Sequence, residues 1–326
     1  MIQVVVSRAP WVGKQLLASS TRVLLIGLVL LIAVGWRLEP KLFLTSQNLS
    51  VFSSAASVPM FIAIAAAVAL LAGVVDLSVG SMAGFGAAVF ANCIGHGLGQ
   101  FASAGVALAC ALGVGAFNAS ACVFFGANPL VVTLGSLIGL QGLTLIVLNN
   151  TSEEAFLPGL YNFTNETWAG VPALLLLVFL LGVMTAVLLA VTRWGRHIRA
   201  AGGDQAASNR AGIPVGKLQF CLFVLTAVFA CIGGILYVGQ DGAAQTTLGV
   251  GLELQIYAPI LLGGYSLTRG GVGSIMGAVT GVVVLEVVSN LLDLRSINPY
   301  WQYIITGAVI LAAVYADVLR GGERYE

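Results

Sequence analysis

The chain predicts an all-α polytopic membrane protein: a single domain, 1–326, of about ten transmembrane helices in two inverted five-helix halves. Three observations carry that prediction. Of 326 residues, 59% are hydrophobic and only 8% charged, where a soluble globular chain carries about 25% charge. The apolar residues fall in runs long enough to cross, or nearly cross, about 30 Å of hydrocarbon. Threading about ten such runs with the N-terminus inside leaves eleven of the fourteen Lys and Arg on the cytoplasmic side, with only Arg37, Lys41 and Arg295 outside. That asymmetry is the positive-inside pattern, and it puts both termini in the cytoplasm.

In chain order the runs lie near 18–36, 52–72, 77–95, 102–125, 130–148, 171–192, 218–239, 253–264, 272–292 and 301–318. Residues 1–17 read as a cytoplasmic arm; Arg8, Lys14 and Arg22 precede an apolar run without a small-residue cleavage site, so it reads as a retained first span. The eighth run is too short to cross alone. Two connections are long. The stretch 149–170 is acidic, with Glu153, Glu154 and Glu166, and its aromatics Phe156, Tyr161, Phe163 and Trp168 suit an interfacial belt. The stretch 193–217 sets Arg193, Arg196, Arg199, Arg210 and Lys217 against the single acid Asp204. Sequons at Asn149, Asn150, Asn162 and Asn165 read as loop composition rather than glycan sites.

Between the second and third runs stands Asp76, flanked on both sides by charge-free stretches, Val51 to Val75 and Leu77 to Gly95. A charged side chain at the bilayer centre costs roughly 3 kcal/mol on insertion scales. Asp76 therefore marks a break between helices, a lined cavity, or both; Gly73, Gly80 and Gly84 allow sharp turning or close packing, and Ser78 and Ser81 can satisfy freed backbone groups. A loop at the aqueous edge, with Asp76 capping the next helix, fits the residues equally well.

Forty-one glycines against nine prolines suit closely packed helices, whose backbones approach through small residues. Cys93, Cys110, Cys122, Cys221 and Cys231 lie in or at the ends of apolar spans without a C-x-x-C pair or a neighbouring histidine, so they read as buried small residues, and no metal site is expected. The net charge of +1 gives no basic domain for nucleic acid. No phosphate-binding G-x-x-x-x-G-K-[ST], H-E-x-x-H or G-x-S-x-G occurs. The chain reads as a non-enzyme without catalytic residues or a cofactor of its own. The intramembrane acids Asp76, Glu253 and Glu286, with Asp241 near the outer surface, leave an ion-coupled secondary transporter open on composition alone.

Two short echoes occur. Asn118 followed by Asn128-Pro129 parallels Asn290 followed by Asn298-Pro299. This match pairs the fourth and fifth spans with the ninth and tenth in opposite orientation, as an inverted repeat would. Val79-Gly-Ser-Met-Ala-Gly84 parallels Val272-Gly-Ser-Ile-Met-Gly277, which pairs the third span with the ninth and does not belong to the same repeat.

Several ordered motifs between about residues 50 and 318 carry a resemblance. Gly73-Val-Val-Asp-Leu-Ser-Val-Gly-Ser81 resembles G-G-I-D-L-S-V-G-S, and Asn128-Pro-Leu-Val-Val-Thr-Leu-Gly135 resembles P-x-[FL]-[IV]-x-T-L-G. Gly195-Arg-His-Ile-Arg-Ala-Ala-Gly-Gly-Asp-Gln-Ala-Ala207, continuing to Ile213, resembles G-R-x-[IV]-x-A-x-G-G-N-x-x-A-A-x-x-x-G-I. Leu262 to Gly277 resembles [IV]-G-G-x-S-L-x-G-G-x-G-S-x-x-G, and Asn290 and Trp301-Gln302 match positions near the end. The set resembles permease subunits of bacterial ATP-binding-cassette importers for monosaccharides of the ribose, arabinose, xylose and galactose type, within the branched-chain permease superfamily. The chain departs from the pattern at Asp204, where Asn is common, at Ser208, at Tyr265 and at the inserted Arg269.

The resemblance implies a bacterial inner-membrane permease. It would move a monosaccharide or similar polyol delivered by a periplasmic binding protein, paired with an identical or paralogous permease and driven by cytoplasmic ATP-binding subunits. A permease for branched-chain amino acids or another small solute is the neighbouring alternative. The 193–217 loop then implies an ATPase-coupling segment: a short helix between Gly202-Gly203 and Gly212-Ile-Pro214, with Asp204, small residues such as Ala207 for close approach, and Arg199 and Arg210 to pair with acids on the partner. A neutral polyol needs a path of modest hydrogen-bonding groups. Ser78, Ser81, Asn118, Thr133, Gln141 and Asn290 are suited to it, with Asp76 ordering the break beside them. For any single one of the six, interhelical bonding worth about 0.6 kcal/mol is the favoured reading.

Overall fold

The computed structural model describes residues 19–168, 170–266, 270–298 and 300–322. The expected arm at 1–17 and the inserted Arg269 lie outside them. Among the described residues helices dominate. These are α1 (Ser19–Leu38), α2 (Ser46–Leu71), α3 (Val79–Gly95), α4 (Gln100–Val123), α5 (Pro129–Val147), α6 (Pro158–Asn165), α7 (Ala173–Val191), α8 (Arg193–Gly203), α9 (Gln205–Arg210), α10 (Val215–Asp241), α11 (Leu252–Leu262), α12 (Ile275–Leu294) and α13 (Tyr300–Gly322). Each apolar run of the sequence coincides with one of these helices to within a few residues. Six, α2, α4, α5, α7, α10 and α12, are long and apolar enough to cross a membrane, and shorter apolar helices lie in α1, α3, α11 and α13.

Local chemistry sets the helix starts. Thr45, Asn128, Thr192, Asp204 and Ser274 each accept a backbone N–H of the first turn, opening α2, α5, α8, α9 and α12. Asn298 Oδ1 accepts the Tyr300 N–H at 2.9 Å before α13, as Asn128 Oδ1 accepts the Leu130 N–H at 2.9 Å before α5. The two members of the Asn-Pro echo therefore act alike.

The bundle is built around α2. Every residue from Ala56 to Leu71 is buried, and α7, α10, α11 and α12 pack against its sides and ends. With lipid as apolar as the side chains, this packing gains from dispersion between close backbones rather than from leaving water. At Gly234 of α10, a Cβ would collide with the Ala83 carbonyl of α3, so only glycine permits that approach. Phe61 of α2 and Phe229 of α10 stack at 4.8 Å between ring centres.

Helix α11 has eleven residues, about 16 Å at 1.5 Å per residue, or half a bilayer core. The chain enters it through Gly249 and Gly251, at φ of +96° and +75°, conformations that favour glycine. Gly249 lies against the Gly80 carbonyl and the Gly84 N–H, so the stretch from α10 to α11 descends along the first turns of α3. The shortness of the eighth apolar run thus reflects a half-length helix starting inside the bundle.

Two opposite faces emerge. One carries the strands β1 (Glu153–Glu154) and β4 (Ala243–Ala244), paired antiparallel with Glu153 opposite Ala244, and β2 (Thr167–Trp168) with β3 (Val171–Pro172). The Arg295–Glu39 ion pair at 2.6 Å, between the α1–α2 and α12–α13 connections, lies on this strand face too. The other face carries α8, α9 and the glycine-rich stretch that leads into α12.

Candidate translocation and coupling sites

Asp76 sits in the break between α2 and α3, fully buried at 0% exposure. Breaking the helix there frees backbone groups that need partners. One side chain satisfies both at Asp76: the Tyr257 hydroxyl of α11 accepts the Asp76 N–H and donates to the Asp76 carbonyl, at 3.0 Å each. The carboxyl accepts from neutral donors. Ser78 gives its N–H at 3.0 Å and its hydroxyl at 2.5 Å to Oδ1, and Thr226 of α10 gives its hydroxyl at 2.8 Å to Oδ2. Asn118 Nδ2 of α4 continues the network to Ser78 Oγ at 3.1 Å, and Ser136 of α5 donates to Asn118 Oδ1 at 2.5 Å. Five helices, α3, α4, α5, α10 and α11, are thereby tied to one inter-helix break.

Of the sequence-expected path residues, Asp76, Ser78 and Asn118 meet here. Ser81 follows on α3, 1% exposed with its hydroxyl unpartnered. Thr133 is buried and donates to the Pro129 carbonyl of its own helix at 2.8 Å. Gln141 stands further along α5, half-buried and outside the network. Asn290 lies elsewhere: it and Asn48 of α2 exchange two amide hydrogen bonds of 2.9 Å. Thr226, Tyr257 and Ser136 escaped the sequence reading. A signal existed for Tyr257, because membrane tyrosines favour interfaces, and one in the interior of an apolar segment asks for a buried partner.

On the α8 face the candidate coupling segment docks through glycine. A Cβ on Gly202 would collide with the Leu71 carbonyl at the end of α2, and would stand 2.5 Å from the Gly271 nitrogen. That carbonyl, one of the unfilled acceptors at a helix C-terminus, receives the Gly271 N–H at 2.7 Å. Gly195, Ile198 and Ala201 form the buried side of α8. Arg199 turns inward: its Nη1 donates to the Gly273 carbonyl at 3.1 Å. Burial pulls the Arg199 pKa below the usual guanidinium range, partly offset by nearby Tyr265. Burial pushes the Tyr265 phenol up, with Arg199 opposing it.

Asp204 Oδ1 caps α9 by accepting the Ala207 N–H at 2.8 Å. Ala206, Ala207, Asn209 and Arg210 are exposed on α9, while Ser208 is buried. Gly203 ends α8, Asp204 alone separates the two short helices, and Gly212, at φ +82°, turns the chain into α10. The segment also reaches the break: a Cβ on Gly73 would meet Gln205 Nε2 at 3.8 Å and Gly202 Cα at 3.9 Å, three residues before Asp76.

A cavity of about 610 Å³ lies towards the strand face, between the first half of α2, the last turns of α10, the start of α11, and α12 and α13. Its walls include Ser54, Asp241, Glu286, Asp293, Gln302 and Tyr303. Asp241 and Glu286 stood out in the sequence only as isolated acids, because the lining is drawn one or a few residues at a time from seven separate segments.

Comparison with known proteins places this architecture. Residues 48–314 match the family described as "Branched-chain amino acid transport system / permease component". The chain belongs to this family. The permease is 32% identical over 299 residues to the ribose import permease protein RbsC of Escherichia coli (strain K12), covering 90% of this chain and 92% of that one. It is 33% identical over 297 residues to the galactose/methyl galactoside import permease protein MglC of the same organism, covering 85% and 88%. The D-allose transport system permease protein AlsC of that strain is 29% identical over 295 residues, covering 90% of each chain. The permease is therefore a multi-pass membrane protein of a transporter family, as its motifs implied.

Proposed function

We propose that the permease is the membrane subunit of an ATP-driven importer for a monosaccharide or similar polyol. The observation that carries this reading is its likeness, along nearly the whole chain, to import permeases named for ribose, galactose and allose. Branched-chain amino acids, which the family description names, are the neighbouring reading; the named relatives favour sugar. The chain lacks a nucleotide-binding motif of its own, so the energy comes from cytoplasmic ATP-binding subunits, and the solute from a periplasmic binding protein. A second permease, identical or paralogous, completes the membrane unit. The excess of Lys and Arg at 193–217 supports a cytoplasmic α8 face and an outward strand face in a bacterial inner membrane. The matching Asn caps of α5 and α13 support ten spans in two inverted halves.

In this reading α8 and α9 are the lever. The exposed Ala206, Ala207 and Arg210 meet the ATPase, and Gly202 transmits the push through the Leu71 carbonyl to Gly73 and the Asp76 break. The buried residues Ser78, Ser81, Asn118 and Thr133 would then meet solute only when that break rearranges. Asn290 and Gln141 flank the route.

Reconstitution tests the proposal. Vesicles holding the permease with its ATPase take up labelled sugar that persists with a protonophore and stops on ATP depletion. Ala207→Trp keeps the complex assembled and lowers solute-stimulated ATP hydrolysis at least several-fold. Uptake by the permease alone, driven by an ion gradient, would refute the importer reading. Full coupling in Ala207→Trp would remove α9 from the ATPase contact.

A further inference from the structure

Four buried side-chain atoms among the described residues have no hydrogen-bond partner: Ser81 Oγ, Arg199 Nε, Glu253 Oε2 and Tyr265 Oη. A polar atom left unfilled away from water is costly, so each needs a physical reason. The four fall into two pairs, one at each end of α11. Glu253 lies in its first turn. A Cβ on Gly80 would stand 2.5 Å from Glu253 Oε2, so the carboxyl rests on the turn of α3 that carries the Ser81 hydroxyl. Just past the other end, Tyr265 is 4% exposed and packs on Gly273, whose Cβ would stand 2.6 Å from the ring. The Gly273 carbonyl accepts Arg199 Nη1 at 3.1 Å, so guanidinium and phenol meet the same residue. Each pair joins a donor to an acceptor: hydroxyl to carboxyl, guanidinium N–H to phenol oxygen. The segment between the pairs is flanked by hinges. Gly249 and Gly251 precede α11 at φ of +96° and +75°, and Gly264 follows it at +91°; a few such residues can absorb a change of backbone angle.

We propose that Glu253 and Tyr265 are positioning residues of the transport cycle: when α11 shifts, Glu253 accepts the Ser81 hydroxyl and Tyr265 accepts the Arg199 Nε–H. Both bonds are unmade in this structure. The inference rests on the importer reading for what drives the shift. Making the two bonds favours the shifted conformation, while the Tyr257 bonds to both backbone groups of Asp76 hold the present one. The half-length helix therefore has two stations. A shift between them is felt at the Asp76 break through Tyr257, and at α8 through Arg199. Tyr265 is one of the positions at which the chain departs from the motif it otherwise follows, so the station at α8 belongs to this permease in particular.

Heating the permease bound to its ATP-binding subunits tests this, with the permease left soluble after each temperature step read by immunoblot. Without nucleotide, Tyr265→Phe and Ser81→Ala each melt no lower than wild type, because each removes only an unbonded hydroxyl. With the complex trapped by ATP and vanadate, each melts at least about 3 °C below wild type. In an Arg199→Met background the Tyr265→Phe drop in the trapped state disappears. A bond that merely holds the fold together would lower both states alike. A fall without nucleotide, or melting that matches wild type in both states, overturns the proposal while ATP hydrolysis by the wild-type complex leaves the importer reading standing. A wild-type complex that hydrolyses no ATP removes the importer reading and this proposal with it.

Discussion

Thr226→Val isolates one strand of the Asp76 network. Valine has nearly the shape of threonine, so the substitution opens no cavity; it removes the donor that reaches Asp76 Oδ2 at 2.8 Å. The carboxyl oxygen stays buried, since Asp76 is wholly inaccessible, and no water replaces the lost hydroxyl. Hydrogen bonds to acidic groups are worth about 1.5–3 kcal/mol, and leaving the acceptor unfilled costs in the same range. At about 2–4 °C per kcal/mol for mid-sized chains, the loss is about 3–12 °C in apparent melting temperature. The assay is heating of the purified permease in detergent at a fixed scan rate, followed by size-exclusion chromatography, because unfolding of such proteins is irreversible. Thr226→Ser keeps the donor and loses only a methyl group, so it melts closer to wild type. In Asp76→Asn the same Thr226→Val change costs less, by a coupling of at least about 0.5 kcal/mol. If Thr226→Val melts within a degree of wild type, or Thr226→Ser falls as far, the hydroxyl–carboxyl bond does not hold the break.

Asp76→Asn inserts normally, by membrane-fraction immunoblot, but loses most uptake, because an amide nitrogen would face hydroxyl and N–H donors that need an acceptor. Gly202→Leu forces α8 away from the Leu71 carbonyl, and uptake falls at least tenfold at unchanged permease abundance. Asn48→Leu and Asn290→Leu each lower thermal stability by about 1–2 kcal/mol by orphaning an amide. The double variant loses less than the sum, by about 0.6–1.7 kcal/mol, read in a double-mutant cycle of melting temperatures.

Much of the membrane architecture was legible because lipid imposes simple demands on sequence: long apolar runs, few charges, and basic residues gathered in one loop. Asp76 stood out for the same reason, as one carboxylate amid two charge-free stretches. Its partners did not. Thr226 and Tyr257 lie 150 and 181 residues further along the chain, and hydroxyls are common enough in apolar spans that none announces a bond. Asn290 shows the converse: its place in an echo suggested kinship with Asn118, yet its amide donates to and accepts from Asn48. Arg199 misled differently. A basic residue in a basic loop suggested an outward pairing, whereas a neighbouring backbone carbonyl holds it inward. The 610 Å³ cavity exists only once five helices are assembled, so no local pattern could announce it.

The enclosure of α2 bears on how the protein is made. From Ala56 to Leu71 this helix is enclosed by protein, yet a nascent chain must first hand it to lipid, before the neighbours that will surround it have been synthesised. Its sequence therefore answers two demands in succession: greasy enough to leave the translocon, and small enough, through its alanines, to be wrapped later by protein. Exchanging those alanines for leucines would improve the first step and obstruct the second, so biogenesis rather than transport sets how bulky this axis can become.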